Sequence, residues 1–219
     1  MAKQGSPALI GALGFYPVVP DAEWVKRLLD WGVRSIQLRH KPLVNDDVAL
    51  ARQVRESVAA GRDVAGAQVF INDHWELALA EGAYGVHLGQ EDWAALSVTQ
   101  RERLRASGMR LGLSTHTPDE WAIAQAVNPS YIAIGPVYRT TLKVMPYEPV
   151  GLEQLRAWTL QVSPCPVVAI GGISLERLPD VVACGVNGVA VVSAVTQASN
   201  PQDAVAAGLQ SSAWCIASL

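Results

Sequence analysis

The sequence predicts an α/β protein, a single (β/α)8 barrel, and three observations carry that expectation. Strand-like and helix-like segments alternate from one end of the chain to the other, which is the mark of a parallel sheet built from βα units. Eight such pairs can be counted along the 219 residues, enough to close a barrel at the short end of the usual size range. The chain is 50% hydrophobic and 17% charged, a balance that suits a closed sheet with amphipathic helices outside it. That balance argues against disorder and favours one domain over two smaller ones.

In order, the first strand is read at Leu13–Val19, after an N-terminal extension over residues 1–12. A helix over Asp21–Trp31 follows, with Trp24, Leu28 and Trp31 on one stripe and Gly32 as its stop. Ser35–Leu38 is the second strand and about Asn45 to Ala60 a long helix. Val69-Phe70-Ile71 is an apolar run suited to a strand covered on both faces, and a short helix from His74 to Ala80 closes at Gly82. Gly85–Gly89 repeats the strand pattern, Ser97–Ser107 is a charged surface helix stopped by Gly108, and Arg110–Leu113 is the fifth strand. Thr117-Pro118-Asp119-Glu120 reads as a helix start with Thr117 as N-cap and Glu120 closing a capping box. Tyr131–Ile134 is the sixth strand, and Gly135 to Pro149 is the longest irregular segment, a length typical of binding loops. Helix Leu152–Leu160, strand Pro166–Ile170, helix Leu175–Ala183, strand Gly188–Val192 and helix Asp203–Ala213 complete the barrel.

A formal net charge of −3 offers no global basic field to recruit nucleic acid or anionic membrane, so phosphate recognition has to be local. Cys165, Cys184 and Cys215 are an odd set without a CxxC pair, which indicates reduced thiols rather than a disulfide framework or zinc knuckle. Ala8 to Leu13 faintly imitates a signal peptide, but the next residues already read as a domain strand, and the cytoplasm is the expected compartment. No apolar run approaches the roughly 20 residues of a membrane span. Most of the tryptophans fall on helices and are read as packing residues. The sequence leaves open whether the chain forms a homo-oligomer.

Chemistry in such a barrel belongs at the C-terminal ends of the strands. Asn72-Asp73 and Gln90-Glu91-Asp92 end the third and fourth strands, so a βαβ unit brings Asp73 and Asp92 to one rim. Two carboxylates with an amide suit Mg²⁺, which completes its octahedron with water and phosphate oxygens; the competing reading makes Asp73 a helix N-cap and Asp92 a loop acid. Gln37, Arg39 and Lys41 recur every second residue and in an extended chain project to one side, as an anion clamp fit for a diphosphate or as a solvated basic strand end. Gly171-Gly172 ends the seventh strand and Val192-Ser193 the eighth, the usual place for a phosphate cradle. His87 and His116 could be general bases or satisfied structural histidines, and neither has a metal-ligand partner at helical spacing.

These pieces together resemble the thiamine phosphate synthase (thiamine phosphate pyrophosphorylase) family. The likeness spans Gly14 to Ala194 and rests on Gln37-Leu38-Arg39-His40-Lys41, Phe70-Ile71-Asn72-Asp73, Gly85 to Asp92, Ser114-Thr115-His116, Gly135-Pro136-Val137-Tyr138 with Lys143, and Ala169 to Ile173. The resemblance implies a transferase of thiamine biosynthesis that joins hydroxymethylpyrimidine diphosphate to hydroxyethylthiazole phosphate with one Mg²⁺ per subunit. By the same resemblance Gln37, Leu38, Arg39, His40, Lys41, Asn72, Ser114 and Lys143 would hold the pyrimidine diphosphate. Of these, Arg39, Lys41, Ser114 and Lys143 would be catalytic, and Asp73 and Asp92 would ligate the metal. Thr140, Thr141, Leu142, Gly172, Val192 and Ser193 would hold the thiazole phosphate. The family loop usually reads Thr-x-Thr-Lys after Gly-Pro-Val-Phe-Pro; here Arg139 stands for that proline and Leu142 for the second threonine. The alternatives are a thiazole tautomerase-like relative and a non-catalytic barrel that binds thiamine precursors.

Overall fold

Short runs of β-branched and aromatic residues between glycine-stopped helices become strands too apolar to face water on either side, and the chain buries both faces by closing the sheet. The computed structural model describes residues 5–42, 46–140, 148–161 and 165–211. Its strands are β1 (Gly14–Val19), β2 (Ser35–Leu38), β3 (Gln68–Asn72), β4 (Gly85–Leu88), β5 (Arg110–Thr115), β6 (Tyr131–Ile134), β7 (Val167–Ile170) and β8 (Gly188–Val191). All are parallel and pair in sequence order, and β8 closes on β1 through Gly14↔Gly188 to Pro17↔Val191. The expected (β/α)8 barrel is what forms.

The helices are α1 (Ala22–Asp30), α2 (Asp47–Arg62), α3 (Trp75–Ala80), α4 (Gln90–Ala95), α5 (Val98–Ala106), α6 (Pro118–Val127), α7 (Gly151–Gln161), α8 (Leu178–Val182, after a 3-10 turn at Leu175–Arg177), α9 (Ser193–Thr196) and α10 (Pro201–Gln210). Two of these, α4 and α9, were not expected; each is too short to show a periodicity and sits in the loop after a strand. The Thr117 cap is present, its hydroxyl accepting from the Glu120 N–H at 3.3 Å. The capping box is not: the Glu120 carboxylate instead accepts from the His116 backbone N–H at 2.6 Å and pairs with His116 Nδ1 at 2.8 Å.

The core has two layers. Val25, Leu28, Ile36, Leu38, Val86, Leu113, Ile134 and Val189 belong to the layer between sheet and helices. Trp121 of α6 stacks on Trp158 of α7 there, with centroids 5.3 Å apart, as the packing reading of the tryptophans requires. Inside the barrel lie Leu13, Tyr16, Val18, Phe70, Tyr131, Ala133, Val168 and Ala190. Phe70 and Tyr131 meet edge to face at 5.2 Å, and Tyr16 meets both at 5.9 and 6.0 Å, an arrangement that suits the ring quadrupoles. Three large rings fit only because neighbouring strands carry glycine: a methyl at Gly112 would overlap the Tyr131 ring, and one at Gly85 the Phe70 ring. Gly112→Ala is therefore expected to destabilise the barrel by about 1–3 kcal/mol through overpacking, read as a lower denaturant midpoint at constant m-value. An unchanged midpoint would show that Tyr131 can move aside.

Residues 5–12 cross the N-terminal ends of the strands. The Ala8 carbonyl accepts from Arg110 Nε at 2.8 Å, the Pro7 carbonyl from Ser130 Oγ at 2.6 Å, and the Ile10 N–H donates to Tyr84 Oη at 2.9 Å. The opposite, C-terminal rim carries the polar residues.

Candidate active site

Strand alternation decides which side chains reach that rim. Gln37, paired with Val18 and Phe70, turns into the barrel and is buried, while Leu38 turns outward and packs against the helices. Of the pyrimidine-diphosphate residues suggested by the resemblance, Leu38 can therefore present only backbone to the rim. β2 ends there, and beyond it Arg39 and Lys41 continue along the rim, the charge of Arg39 acting on His87 and that of Lys41 on Asp73. The Arg39 N–H extends the ladder by one bond to Val19 O at 2.8 Å, and its side chain is exposed. Among the described residues no carboxylate pairs with it. His40 Nδ1 lies 2.8 Å from the Pro20 carbonyl, which it can meet as a donor and so tie β2 to the loop after β1. Lys41 crosses the end of β3 and sets its ammonium 2.5 Å from Asp73 Oδ2.

That ion pair joins the basic strand end to the carboxylates. Asp73 has φ +61°, a left-handed conformation that aspartate tolerates and that recurs at functional sites. The N-cap of α3 is His74, without a side-chain capping bond, so Asp73 does not serve as the cap. Asn72 is buried at the end of β3 and paired with His87 across the strands. Asp92, in the first turn of α4, accepts from the Gly89 N–H at 3.3 Å, which fixes the loop after β4. Burial pushes the Asp73 carboxyl up, but the hydrogen bond and charge of Lys41, with help from a hydrogen bond to Asp92, outweigh it and bring the group below its ordinary range. Asp92 goes the other way, raised by burial and then by the negative charge of Asp73. Two carboxylates within hydrogen-bond reach and one ammonium leave an excess negative charge. A hard cation taking one or two carboxylates and otherwise water and phosphate fits this donor set. Among the described residues no cluster of three or more His, Cys, Asp or Glu offers a fuller protein cage.

His87 is buried at the end of β4, its Nδ1 2.8 Å from Tyr131 Oη and its Nε2 2.8 Å from Ser114 Oγ. Tyr131 Oη lies 3.0 Å from Tyr16 Oη, which accepts from Gln37 Nε2 at 3.3 Å. Gln90 Nε2 donates to the Ser114 carbonyl at 2.7 Å and holds the same strand end from the other side. Burial is the largest cause that pushes the His87 ring down to about 4; Asp73 pulls upward, and His116 and Arg39 add to the depression. His87 is therefore neutral near pH 7 and fills the satisfied structural role, as His116 does against Glu120. Between its ordinary 6.5 and about 4, the unfolded chain binds a proton that the folded chain lacks, so stability falls with pH across this window. This group accounts for at most about 3 kcal/mol of that fall. Urea unfolding of the parent and of His87→Gln should show profiles that converge as pH drops from 6.5 to about 4; parallel profiles would contradict the assignment.

On the other side of the rim, Gly171 and Gly172 have φ of +97° and +67°. A methyl on Gly171 would strike Pro136, and one on Gly172 the carbonyls of Tyr138 and Arg139. The glycine pair thus has a structural reason of its own: it lets the loop after β6 lie directly on the end of β7, through Tyr138 N–H to Gly171 O at 3.0 Å. Arg177, which the sequence pattern does not single out, braces this junction by donating to Gly172 O at 2.6 Å and lying 4.3 Å over the Tyr138 ring. Val192 packs against the inner core and Ser193 opens α9, exposed. Thr140 is half-buried; Thr141, Leu142 and Lys143 lie outside the described residues. Arg139 pairs with Glu148 at 3.3 Å in solvent, both side chains over four-fifths exposed at 86% and 85%.

A closed parallel barrel with cations, a carboxylate pair and glycine-rich strand ends on its C-terminal rim defines a class, the (β/α)8 enzymes that act on small phosphorylated molecules. Residues 16–195 match the family model described as thiamine monophosphate synthase. The chain is 50% identical over 200 residues to the thiamine-phosphate synthase of Shigella sonnei, covering 91% of this chain and 92% of that one. It is 47% identical over 194 residues to the thiamine-phosphate synthase of Photorhabdus laumondii, covering 89% and 87%. The solved structure of thiamine phosphate pyrophosphorylase from Pyrococcus furiosus superimposes with a TM-score of 0.75 at 30% identity, over 90% of this chain and 94% of that one. The chain belongs to the thiamine monophosphate synthase family, and its role is that of a transferase in thiamine phosphate synthesis.

Proposed function

We propose that the rim joins hydroxymethylpyrimidine diphosphate to hydroxyethylthiazole phosphate, with Arg39, Lys41, Asn72 and Ser114 facing the first and Gly172, Val192, Ser193 and Thr140 facing the second. The observation that carries this reading is the division of the rim: Arg39, Lys41 and paired carboxylates on the β2–β4 side, and across the barrel at β6–β8 a glycine-turned backbone whose neighbouring arginines are already engaged, Arg177 by the Gly172 carbonyl and Arg139 by Glu148. Two different phosphate environments on one rim suit two different phosphorylated substrates. The C–O bond between the pyrimidine methylene and the diphosphate breaks, its electron pair leaving with the diphosphate oxygen. The thiazole nitrogen then gives its lone pair to the methylene carbon, so no proton has to be moved. Arg39 and Lys41 stabilise the charge that builds on the leaving diphosphate, with Lys143 as a third cation. Asp73 and Asp92 would hold Mg²⁺, which when bound supplies further positive charge at the diphosphate. A tautomerase-like role has no use for a diphosphate clamp, and the relatives named above are synthases.

Calorimetric titration with pyrophosphate tests the division: binding in MgCl₂ that is lost in EDTA is expected, and equal binding in both would contradict the metal assignment. Leu142 stands where the family loop carries a hydroxyl. A hydrogen bond to a charged phosphate contributes roughly 1.5–3 kcal/mol, so Leu142→Thr should lower the Michaelis constant for thiazole phosphate several-fold and leave that for the pyrimidine diphosphate unchanged. No change in either would remove this loop from the phosphate site. The free thiols of Cys165 and Cys184 accord with a reducing cytoplasm, and no described helix is long and apolar enough to cross a membrane.

A further inference from the structure

The side chains of Gln37, Tyr16, Tyr131, His87 and Ser114 form a continuous line of hydrogen-bonding groups from the barrel interior to the rim, with separations of 3.3, 3.0, 2.8 and 2.8 Å. Counting donors gives the line a direction. The Gln37 amide donates to Tyr16 Oη, and Tyr16 is fully buried, so its own hydrogen needs an acceptor. Among the described groups that acceptor is Tyr131 Oη. The reverse arrangement would give the Tyr16 oxygen two donors and leave its hydrogen unsatisfied, a state that folded proteins avoid. Tyr131 must then donate onward to His87 Nδ1, which makes Nδ1 an acceptor and puts the ring proton on Nε2. Nε2–H donates to Ser114 Oγ, and the Ser114 hydroxyl hydrogen is left to point out of the barrel.

We propose that this line is a one-way hydrogen-bond chain in which Tyr131 and His87 are positioning residues that hold Ser114 as a donor toward the pyrimidine diphosphate. The inference rests on the reading that Ser114 faces that substrate. Ser114 would accept from His87 while donating to the oxygen that gains negative charge as the C–O bond breaks, with no proton transferred. Hydrogen bonds in such a chain polarise one another, so the last donor is strengthened by those behind it. The sequence marks neither tyrosine as chemical, because each sits in an apolar strand and its hydroxyl finds a partner only when the barrel closes.

The nitrogen NMR spectrum of the full chain, labelled at histidine, reads the direction: a bare Nδ1 and protonated Nε2 at His87 are expected, and the opposite tautomer would overturn the proposal. Kinetics read the function. Tyr131→Phe keeps the ring and should lower kcat about two- to tenfold, the value of one neutral hydrogen bond, with KM for thiazole phosphate and the melting temperature little changed. In a Ser114→Ala background the same substitution should change kcat by less than about twofold, because its effect passes through the lost hydroxyl. If the effect of Tyr131→Phe persists in full in that background, the chain does not act through Ser114, although Ser114 keeps its own role. If Ser114→Ala alone leaves kcat and the pyrimidine-diphosphate KM unchanged, the placement of Ser114 at that substrate fails, and this inference with it. Tyr16→Phe leaves the Tyr131–His87 bond in place and should have a smaller effect than Tyr131→Phe; a larger one would reverse the direction.

Discussion

Asp92→Asn should lower turnover by roughly 10²-fold at limiting Mg²⁺ and move the Mg²⁺ concentration needed for half activity upward by a similar factor. The Asp92 carboxyl is raised first by burial and then by the negative charge of Asp73, and Lys41 offsets only one of the two charges. The pair is held against its mutual repulsion by a left-handed backbone at Asp73 and by the Gly89 N–H on Asp92. A cation relieves this strain, so removing one charge takes away both the repulsion and much of the affinity. Because asparagine is isosteric and Asp92 lies at the surface, the variant should fold normally. Two readouts check the result: the Mg²⁺ dependence of kcat/KM, and direct Mn²⁺ binding by paramagnetic resonance. An unchanged metal dependence with lowered turnover would mean that Asp92 acts on substrate or loop structure and not on a metal.

Arg39→Ala should raise the Michaelis constant for the pyrimidine diphosphate about 10- to 100-fold, the worth of a charge-assisted bidentate contact, and leave that for thiazole phosphate unchanged. Arg39 is the cation on this strand end that no described carboxylate neutralises, whereas Lys41 is already engaged by Asp73. The two cations therefore act differently, since Lys41 couples diphosphate to the carboxylate pair and Arg39 is available to the ligand. Arg39→Lys should recover only part of the loss, because an ammonium cannot make the paired contacts of a guanidinium. A change confined to thiazole phosphate would move the clamp to the other substrate.

What could be read from the sequence follows the range of the interactions involved. Strand and helix order was legible because periodicity and glycine stops are local, and parallel βα units have one handed way to close. The rim residues Asp73, Asp92 and Gly172 were legible as strand-end positions for the same reason. Leu38 is different, since the alternation that carries Gln37 inward carries its side chain outward and leaves only its backbone for the rim; beyond Leu38 the strand ends and Lys41 turns toward Asp73. The capping box at Glu120 was plausible from its spacing and lost to His116, whose backbone N–H and ring nitrogen both engage the carboxylate. Tyr16, Tyr131 and the glycine that makes room at Gly112 were hidden because their partners lie on strands far apart in the chain. Their polarity becomes visible only when β1, β4, β5 and β6 surround one interior.

The most direct test of the central claim is release of pyrophosphate by the purified protein with Mg²⁺, measured with both substrates and with each alone, alongside chromatographic detection of thiamine phosphate. Pyrophosphate and thiamine phosphate are expected in equal amounts when hydroxymethylpyrimidine diphosphate and hydroxyethylthiazole phosphate are both present, with no thiamine phosphate when either is left out. Absence of both products in the complete mixture, from protein that is folded and binds pyrophosphate, would contradict the claim.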